Sequence, residues 1–451
     1  MVLSFSLKSW LFVSSDVRLE SSESNEAIPQ SRILPIIQPE SIFLGKRKVV
    51  ELLDGDFIAI RRILKPDNAS PLIYGHRFRL SQRLNGIVPC HANEVCWIEE
   101  TFSNGSGVED EISLDQVLCV RELRMTNRSY DSLNIQHTTS WLSESIPRES
   151  LDTLFCRLKY IIHYKSQTQK AMKSSTSFEE SCIRCLAFEE CDDDNWEDPA
   201  DIRTDLRHNY DSVRDPLEDS VDMLATMTDF NREEPVIQTS PELHTRYIFG
   251  DIFCGAGGMA CGAQMAGMTV GFGVDSDIDA MQTFRSNFRG STGECTSVEY
   301  FLNDSIYPAN QYQVAVLHIS PPCKPFSPAQ TRKPKNFEEM QVLTLTVGDL
   351  VSKTKPRVVT MEQTPGLLYP ANQDFFKSIV NNLIDQNYSV RWKIMNFIQY
   401  GVPQVRKRLI IIAARYVFYT VVVRLLNDLL QRSAHWLTND DLTIMWIADH
   451  L

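Results

Sequence analysis

The stretch SPPCKPFSPAQ, residues 320–330, places two prolines directly before Cys323, with Lys324, Pro325 and Phe326 after it. The preceding QVAVLHI is apolar and β-branched and reads as a buried strand ending at Ser320. Pro321 and Pro322 cannot donate to a sheet ladder, and they force extended geometry on the residues before them. Cys323 is therefore expected in the loop leaving the carboxyl end of a strand, where open α/β sheets hold ligands. A thiol there can be packing, a metal ligand or an exposed nucleophile. Lys324 and a helix expected downstream would depress its pKa.

A second stretch, DIFCGAGGMACG (251–262), runs an apolar strand into Gly255, Gly257 and Gly258, and then into a helix-like segment. In GFGVDSD (271–277), Asp275 ends another strand 20 residues after Gly255. Glycines let backbone approach a ligand, and an acid at that distance accepts hydrogen bonds from a ribose hydroxyl pair. The spacing is not GxGxxG, so a dinucleotide is not favoured. FxGxGG with a ribose acid suits S-adenosylmethionine, which has no pyrophosphate to cradle. A glycine turn that serves packing alone remains the alternative.

Two further stretches complete the set. In VVTMEQTPGLL (358–368), Glu362 leaves the end of a strand, where a carboxylate can hold an amide or amidine edge and manage a proton. In QYGVPQVRKRLIIIAA (399–414), Gln404, Arg406 and Arg408 alternate, so their side chains share one face of an extended segment entering a strand. Arginines so placed can hold phosphate or a base oxygen. An ordinary strand-end glutamate and a solvated basic strand end are the plainer readings of these two.

Taken in order, these elements resemble the cytosine-C5 DNA methyltransferase family, whose motifs run Phe-x-Gly-x-Gly, Pro-Cys, Glu-Asn-Val and Gln-x-Arg-x-Arg. The resemblance covers residues 247–415. It implies that Phe253, Gly255, Gly257, Asp275, Ser276, Asp304 and Pro322 surround S-adenosylmethionine. It further implies that Cys323 is the nucleophile, Glu362 its carboxylate partner and Arg408 a contact to the base. RNA cytosine methyltransferases generally carry their nucleophilic cysteine on the glutamate motif. MEQTPG has none, which favours the DNA type, with double-stranded DNA as substrate; the nucleus is the expected compartment.

The chain departs from the family pattern in three places. Gln363 stands where the family has Asn after the glutamate, and Lys324 where it has Gln after the cysteine. The EQT form resembles the fungal RID-like subgroup linked to repeat-induced point mutation and premeiotic methylation. The third departure lies after Arg415, where the family continues with a target-recognition domain and a final helix. Residues 416–451 have no likeness to those parts, and a misread exon boundary or truncated copy is the expected explanation. A non-catalytic chromatin or silencing factor that keeps the fold is the rival reading.

The elements that position these residues follow from the texture of the chain. From Tyr247, strands alternate with helices, as expected of a doubly wound, Rossmann-like α/β domain over 245–415. Residues 1–38 are Ser-rich and irregular. Residues 39–130 carry short strands between turns at Gly55, Gly86 and SNGSG, as expected of a small β-rich domain. Its GDFIAI, YGHRFRL and HANEV segments look like the bromo-adjacent-homology (BAH) domain found with such enzymes, which implies chromatin proteins as partners. Residues 131–188 read as a mostly helical connector, with LDTLFCRLKYIIHYK amphipathic at a period of 3.6 residues. The single CIRC at 182–185, without a second spaced pair, does not make a zinc site.

Charge separates the parts further. The net charge of the 451 residues is −13, yet residues 189–235 alone hold 17 acidic and 4 basic side chains. That acidic stretch marks 189–244 as a linker. Residues 320–415 hold 14 basic and 6 acidic side chains, a face suited to a polyanion. Eleven cysteines fit no regular disulfide framework in a chain this long. The start, MVLSFSLKSWLFVSS, is broken by Lys8 and lacks the long apolar core of a signal. A reducing compartment, cytosol or nucleus, is expected.

Overall fold

The computed structural model describes residues 32–33, 48–65, 70–102, 110–130, 153–164, 168, 180–192, 247–303, 305–327, 337–400 and 403–415. The chain divides into two compact units, Met1–Glu197 and Asp198–Leu451. Asp304, the SNGSG turn and the tail 416–451 lie outside the described residues, as do most of 1–38 and 189–244.

The first unit is made of strands: β1 (Arg32–Ile33), β2 (Lys48–Leu52), β3 (Phe57–Lys65), β4 (Leu72–Leu80), β5 (Glu94–Phe102), β6 (Asp110–Ser113), β7 (Val117–Met125), β8 (Thr153–Tyr164) and β9 (Glu180–Cys185). Pairing runs β8-β5-β4-β3-β2-β7, and β7 pairs with β8 again, so the sheet closes on itself. Closure leaves no open edge in the ring. Phe57, Phe78, Val95, Trp97, Leu123 and Leu154 fill the inside. The segments GDFIAI and YGHRFRL meet across β3 and β4, where buried Asp56 takes Arg77 (2.8 Å) and Arg79 (2.7 Å) as ion-pair partners. Burial alone would raise the Asp56 pKa, but the two guanidiniums hold it below the usual value.

The helical connector expected over 131–188 is corrected where the chain is described: Thr153–Tyr164 and Glu180–Cys185 are strands, and Thr168 alone among the described residues there is α-helical. β8 pairs along one edge with β5 and along the other first with β7 and then with β9. Its residues 156–160 are buried on both faces, so the polar–apolar alternation that announces a strand is missing. A continuous apolar run fits a helix equally well until its neighbours are known. The first unit therefore continues past 130 and includes β8 and β9.

The second unit contains β10 (Ile248–Ile252), α1 (Gly258–Met265), β11 (Thr269–Asp275), α2 (Ile278–Asn287), β12 (Thr292–Cys295), α3 (Val298–Asn303), β13 (Val316–Ile319), α4 (Phe337–Leu343), α5 (Val347–Thr354), β14 (Val358–Gln363), α6 (Gln373–Asp385), β15 (Tyr388–Asn396) and β16 (Lys407–Arg415). Strand order is β12-β11-β10-β13-β14-β16-β15, parallel except that β16 runs antiparallel to β14 and β15. Helices cover both faces of this mixed α/β sheet. Phe284 of α2 fills the space over Gly273, while Phe301 of α3 stacks on Phe272, the neighbour that faces the other way. Strand order reverses between β10 and β13, which opens a crevice at their carboxyl ends.

Candidate active site

Five strand ends meet at that crevice. β10 leads into a loop that bends back on itself, with Cys254 N donating to Val274 O (3.1 Å) and Gly257 N to Cys254 O (2.9 Å). The bend requires positive φ at Phe253 (61°), Gly255 (54°) and Gly257 (92°). For a bulky side chain such as Phe253 this conformation is strained, and strain of this kind clusters at ligand-binding turns. The two glycines are needed for different reasons. A Cβ on Gly257 would stand 2.4 Å from the Phe288 ring, so that glycine serves packing under α1. A Cβ on Gly255 would meet nothing within 4 Å, so Gly255 presents bare backbone to open space.

Asp275, at the end of β11, is tied to this loop. Its carboxylate accepts from Gly255 N (2.8 Å) and Asp277 N (2.9 Å), which fixes both oxygens beside the glycine turn. Exposed Ser276 follows. The end of β12 joins from the other side, with Thr296 N donating to Asp275 O (3.0 Å) and Cys295 opposite Asp275 in register. Residues 295–296 were not singled out in the sequence, because a four-residue edge strand carries no pattern of its own. Phe253, Gly255, Asp275 and Ser276 thus share one rim, and Ser320 Oγ donates to Phe253 O (3.3 Å), linking it to the end of β13.

Beyond Ser320, Pro321 is buried and Pro322 and Cys323 are half-buried. Cys323 caps a single 3-10 turn, with Phe326 N donating to its carbonyl (3.1 Å). Glu362, 7% exposed, is the last residue but one of β14. Arg408 Nε touches Glu362 Oε1, and Arg406 Nη2 lies 3.6 Å from the same oxygen. Thiol, carboxylate and two guanidiniums therefore form one electrostatic cluster.

The sign of the thiol's shift corrects the expectation from the sequence. Burial and then Glu362 push the Cys323 pKa up, and Arg408 and Arg406 offset this only in part. Lys324 is exposed and does not contribute, and the turn after Cys323 is too short to supply a helix dipole. The Glu362 carboxyl is likewise pushed up by burial against the pull of Arg408 and Arg406. In the free chain the thiol is thus largely protonated.

Gln363, noted in the sequence only as a departure, has a definite job. Fully buried, its Nε2 donates to Pro321 O (2.8 Å), and its Oε1 accepts from Thr364 N (3.1 Å). It pins the prolines that carry Cys323 to the strand that carries Glu362.

Residues 247–431 match the family model of C-5 cytosine-specific DNA methylases, a stretch that continues past Arg415 into the tail. The type II methyltransferase M.NaeI of Lentzea aerocolonigenes is 29% identical over 171 residues, 37% of this chain and 40% of that protein. M.MthTI of Methanothermobacter thermautotrophicus, also a type II methyltransferase, is 31% identical over 163 residues, 36% of this chain and 47% of that one. Among solved structures, the Entamoeba histolytica methyltransferase EhMeth aligns with 38% of this chain and 53% of its own, at 22% identity and a TM-score of 0.30. The chain spans about half or less of the length of the relatives it matches.

Proposed function

We propose that this chain belongs to a DNA (cytosine-5-)-methyltransferase that moves a methyl group from S-adenosylmethionine to carbon 5 of cytosine in double-stranded DNA. The observation that carries the reading is the cluster of Cys323, Glu362 and Arg408, one strand end from the Gly255–Asp275 rim. The rim fits the cofactor: Gly255 offers open space at its Cα, and Asp275 holds a carboxylate at its edge. Phe253, Gly255, Asp275 and Ser276 would hold the cofactor, with Pro322 alongside, while Gly257, which the sequence placed with them, serves the packing that shapes the turn. When bound, S-adenosylmethionine supplies an electrophilic methyl group.

The chain's residues then act on the base. Carbon 5 of cytosine is a poor nucleophile, and the ring must leave the base stack to be reached. Cys323 gives up its thiol proton to solvent and adds as the thiolate to carbon 6, which, with N3 protonated, converts the ring into an enamine nucleophilic at carbon 5. Glu362, its carboxyl pushed up by burial against the pull of Arg408 and Arg406, takes up a proton, donates it to N3 and accepts a hydrogen bond from the exocyclic amine, returning to the carboxylate as the adduct forms. Arg408 holds the base oxygen and keeps Glu362 oriented. Once carbon 5 carries the methyl group, its proton leaves to water, the S–C6 bond breaks with Cys323 departing as the thiolate, and N3 returns its proton to Glu362 as the aromatic ring re-forms.

The EQT form supports a place in the fungal RID-like subgroup, with repeat-directed silencing in the nucleus as its setting. The GDFIAI, YGHRFRL and HANEV segments support a BAH-like reader of chromatin proteins in the first unit. The basic balance of residues 320–415 supports a polyanionic partner.

A duplex carrying 5-fluorocytosine tests the central claim, because fluorine at carbon 5 blocks the final elimination. With S-adenosylmethionine present, an adduct is expected at Cys323 and is absent in Cys323→Ser. An adduct mapped to Cys254 or Cys295 overturns the mechanism, and no adduct favours the non-catalytic silencing factor.

A further inference from the structure

The chemistry above leaves unused a row of polar side chains inside the sheet of the second unit. Asp251, His318 and Thr360 are laterally adjacent on β10, β13 and β14. Register partners in neighbouring strands point to the same face and sit about 4.8 Å apart. Asp251 and His318 are each 1% exposed. His318 Nδ1 lies 2.9 Å from Thr360 Oγ1. His318 Nε2 and both carboxyl oxygens of Asp251 are buried without a well-formed hydrogen bond. On its other flank Asp251 faces Gly273, over which the Phe284 ring lies. Among the described residues, His318 is thus its polar neighbour in the row.

Both groups are neutral near pH 7. Burial raises the Asp251 carboxyl to about 8, against the pull of the Ala260 N–H and with Asp275 adding to the rise. Burial lowers His318 to about 3. A carboxylic acid and a neutral imidazole each carry one donor and at least one acceptor. Whichever tautomer the Thr360 contact selects, His318 Nε2 has a complementary partner in the acid.

We propose that Asp251 and His318 share one buried water molecule, and that the chain Asp251–water–His318–Thr360 is a brace holding β10, β13 and β14 in register. A buried water needs two to four polar partners, and with one Asp251 oxygen drawn to the Ala260 N–H, the other oxygen and His318 Nε2 supply two. Each braced strand hands over to a functional loop. Asp251 stands two residues before Phe253, His318 five before Cys323, and Thr360 two before Glu362. The three are positioning residues, setting the cofactor rim, the nucleophile and the carboxylate relative to one another. The proposal deepens the methyltransferase reading and rests on it for one readout, cofactor affinity.

A high-resolution crystal structure of the chain is expected to show a water within hydrogen-bonding distance of Asp251 and His318. A dry gap, or a direct contact between the two, overturns the proposal. Asp251→Leu, His318→Leu and the double variant test the positioning role. If the pair were merely structural, replacing both by apolar side chains would be tolerated without functional effect. The brace predicts that the folded double variant binds S-adenosylhomocysteine about 2- to 30-fold more weakly. It also predicts an altered rate of Cys323 alkylation, and single effects that fail to add by about threefold or more. Asp251→Asn with His318→Gln should recover part of the loss. A double variant with unchanged affinity and alkylation overturns the brace. Should the leucine variants not fold, Thr360→Val removes only the last link and must still shift the alkylation rate. A wild-type chain that binds no S-adenosylhomocysteine sinks the methyltransferase reading, while the water and the alkylation rate still decide the brace.

Discussion

Replacing Gln363 by leucine keeps the size of the side chain and removes both of its hydrogen bonds. The structure assigns those bonds to two backbone groups, the Pro321 carbonyl (2.8 Å) and the Thr364 N–H (3.1 Å), in a side chain that is fully buried. Each buried backbone group left without a partner costs about 1–3 kcal/mol, so about 2–6 kcal/mol is at stake. That is a large share of the roughly 5–15 kcal/mol by which a domain is stable. The Pro321–Cys323 segment can recover part of this cost by moving its carbonyl into water. Any such movement also removes burial from Cys323, the first cause of its raised pKa, and so speeds its alkylation. Two measurements on Gln363→Leu therefore share one cause: the urea unfolding midpoint, and the iodoacetamide labelling of Cys323 read by peptide mass. A midpoint that falls little must be accompanied by faster labelling, and slow labelling by a large fall. If neither moves, Gln363 does not hold the nucleophile loop and the reasoning fails.

Glu362→Gln removes the second cause of the raised Cys323 pKa and should speed alkylation of the DNA-free chain at pH 7.5, whereas Arg408→Met removes an opposing charge and should slow it; the reverse order would show the cluster to be misread. Gly255→Ala should cost about 1–2 kcal/mol of stability for its left-handed backbone but a larger part of cofactor binding by calorimetry, since its methyl would enter open space. Gly257→Ala, which drives a methyl into Phe288, should instead unfold the loop; equal behaviour of the two variants would contradict the division of roles. Asp251→Asn tests the buried acid by linkage. The unfolded carboxyl ionises near its ordinary value of 3.8 and the folded one only near 8, so the unfolded state holds fewer protons between those values and wild-type stability falls as pH rises through that window. The variant lacks this fall, and its unfolding midpoint relative to wild type should rise from pH 5 to pH 8; a constant difference would mean that Asp251 is not held protonated.

Much of the second unit was legible in the sequence. YIFGDIFCG, TVGFGVD, QVAVLHIS, RVVTMEQ, SVRWKIMNF and RLIIIAAR all contain strands, because each is a short apolar run bounded by turn residues. Cys323 stands after a strand for a local reason, since the two prolines before it stop the ladder. Glu362 and Asp275 stand at strand ends for the same kind of reason. β8 was read as a helix, because a strand buried on both faces shows no alternation, and β12 was missed because four residues carry no period.

What the sequence by itself determined about this protein is which residues end strands, since that depends on neighbours a few positions away. What those residues meet was decided by strand order alone. Gln363 finds Pro321 across 42 positions of chain, and His318 finds Asp251 and Thr360 only because β13 lies between β10 and β14. The sign of the Cys323 shift is of this second kind. Lys324 is adjacent in sequence yet points into water, where its charge is screened. The groups that set the thiol's charge are the burial around it and Glu362, Arg406 and Arg408, all brought in by other strands. A pKa responds to distance and dielectric, and both are properties of the packed sheet.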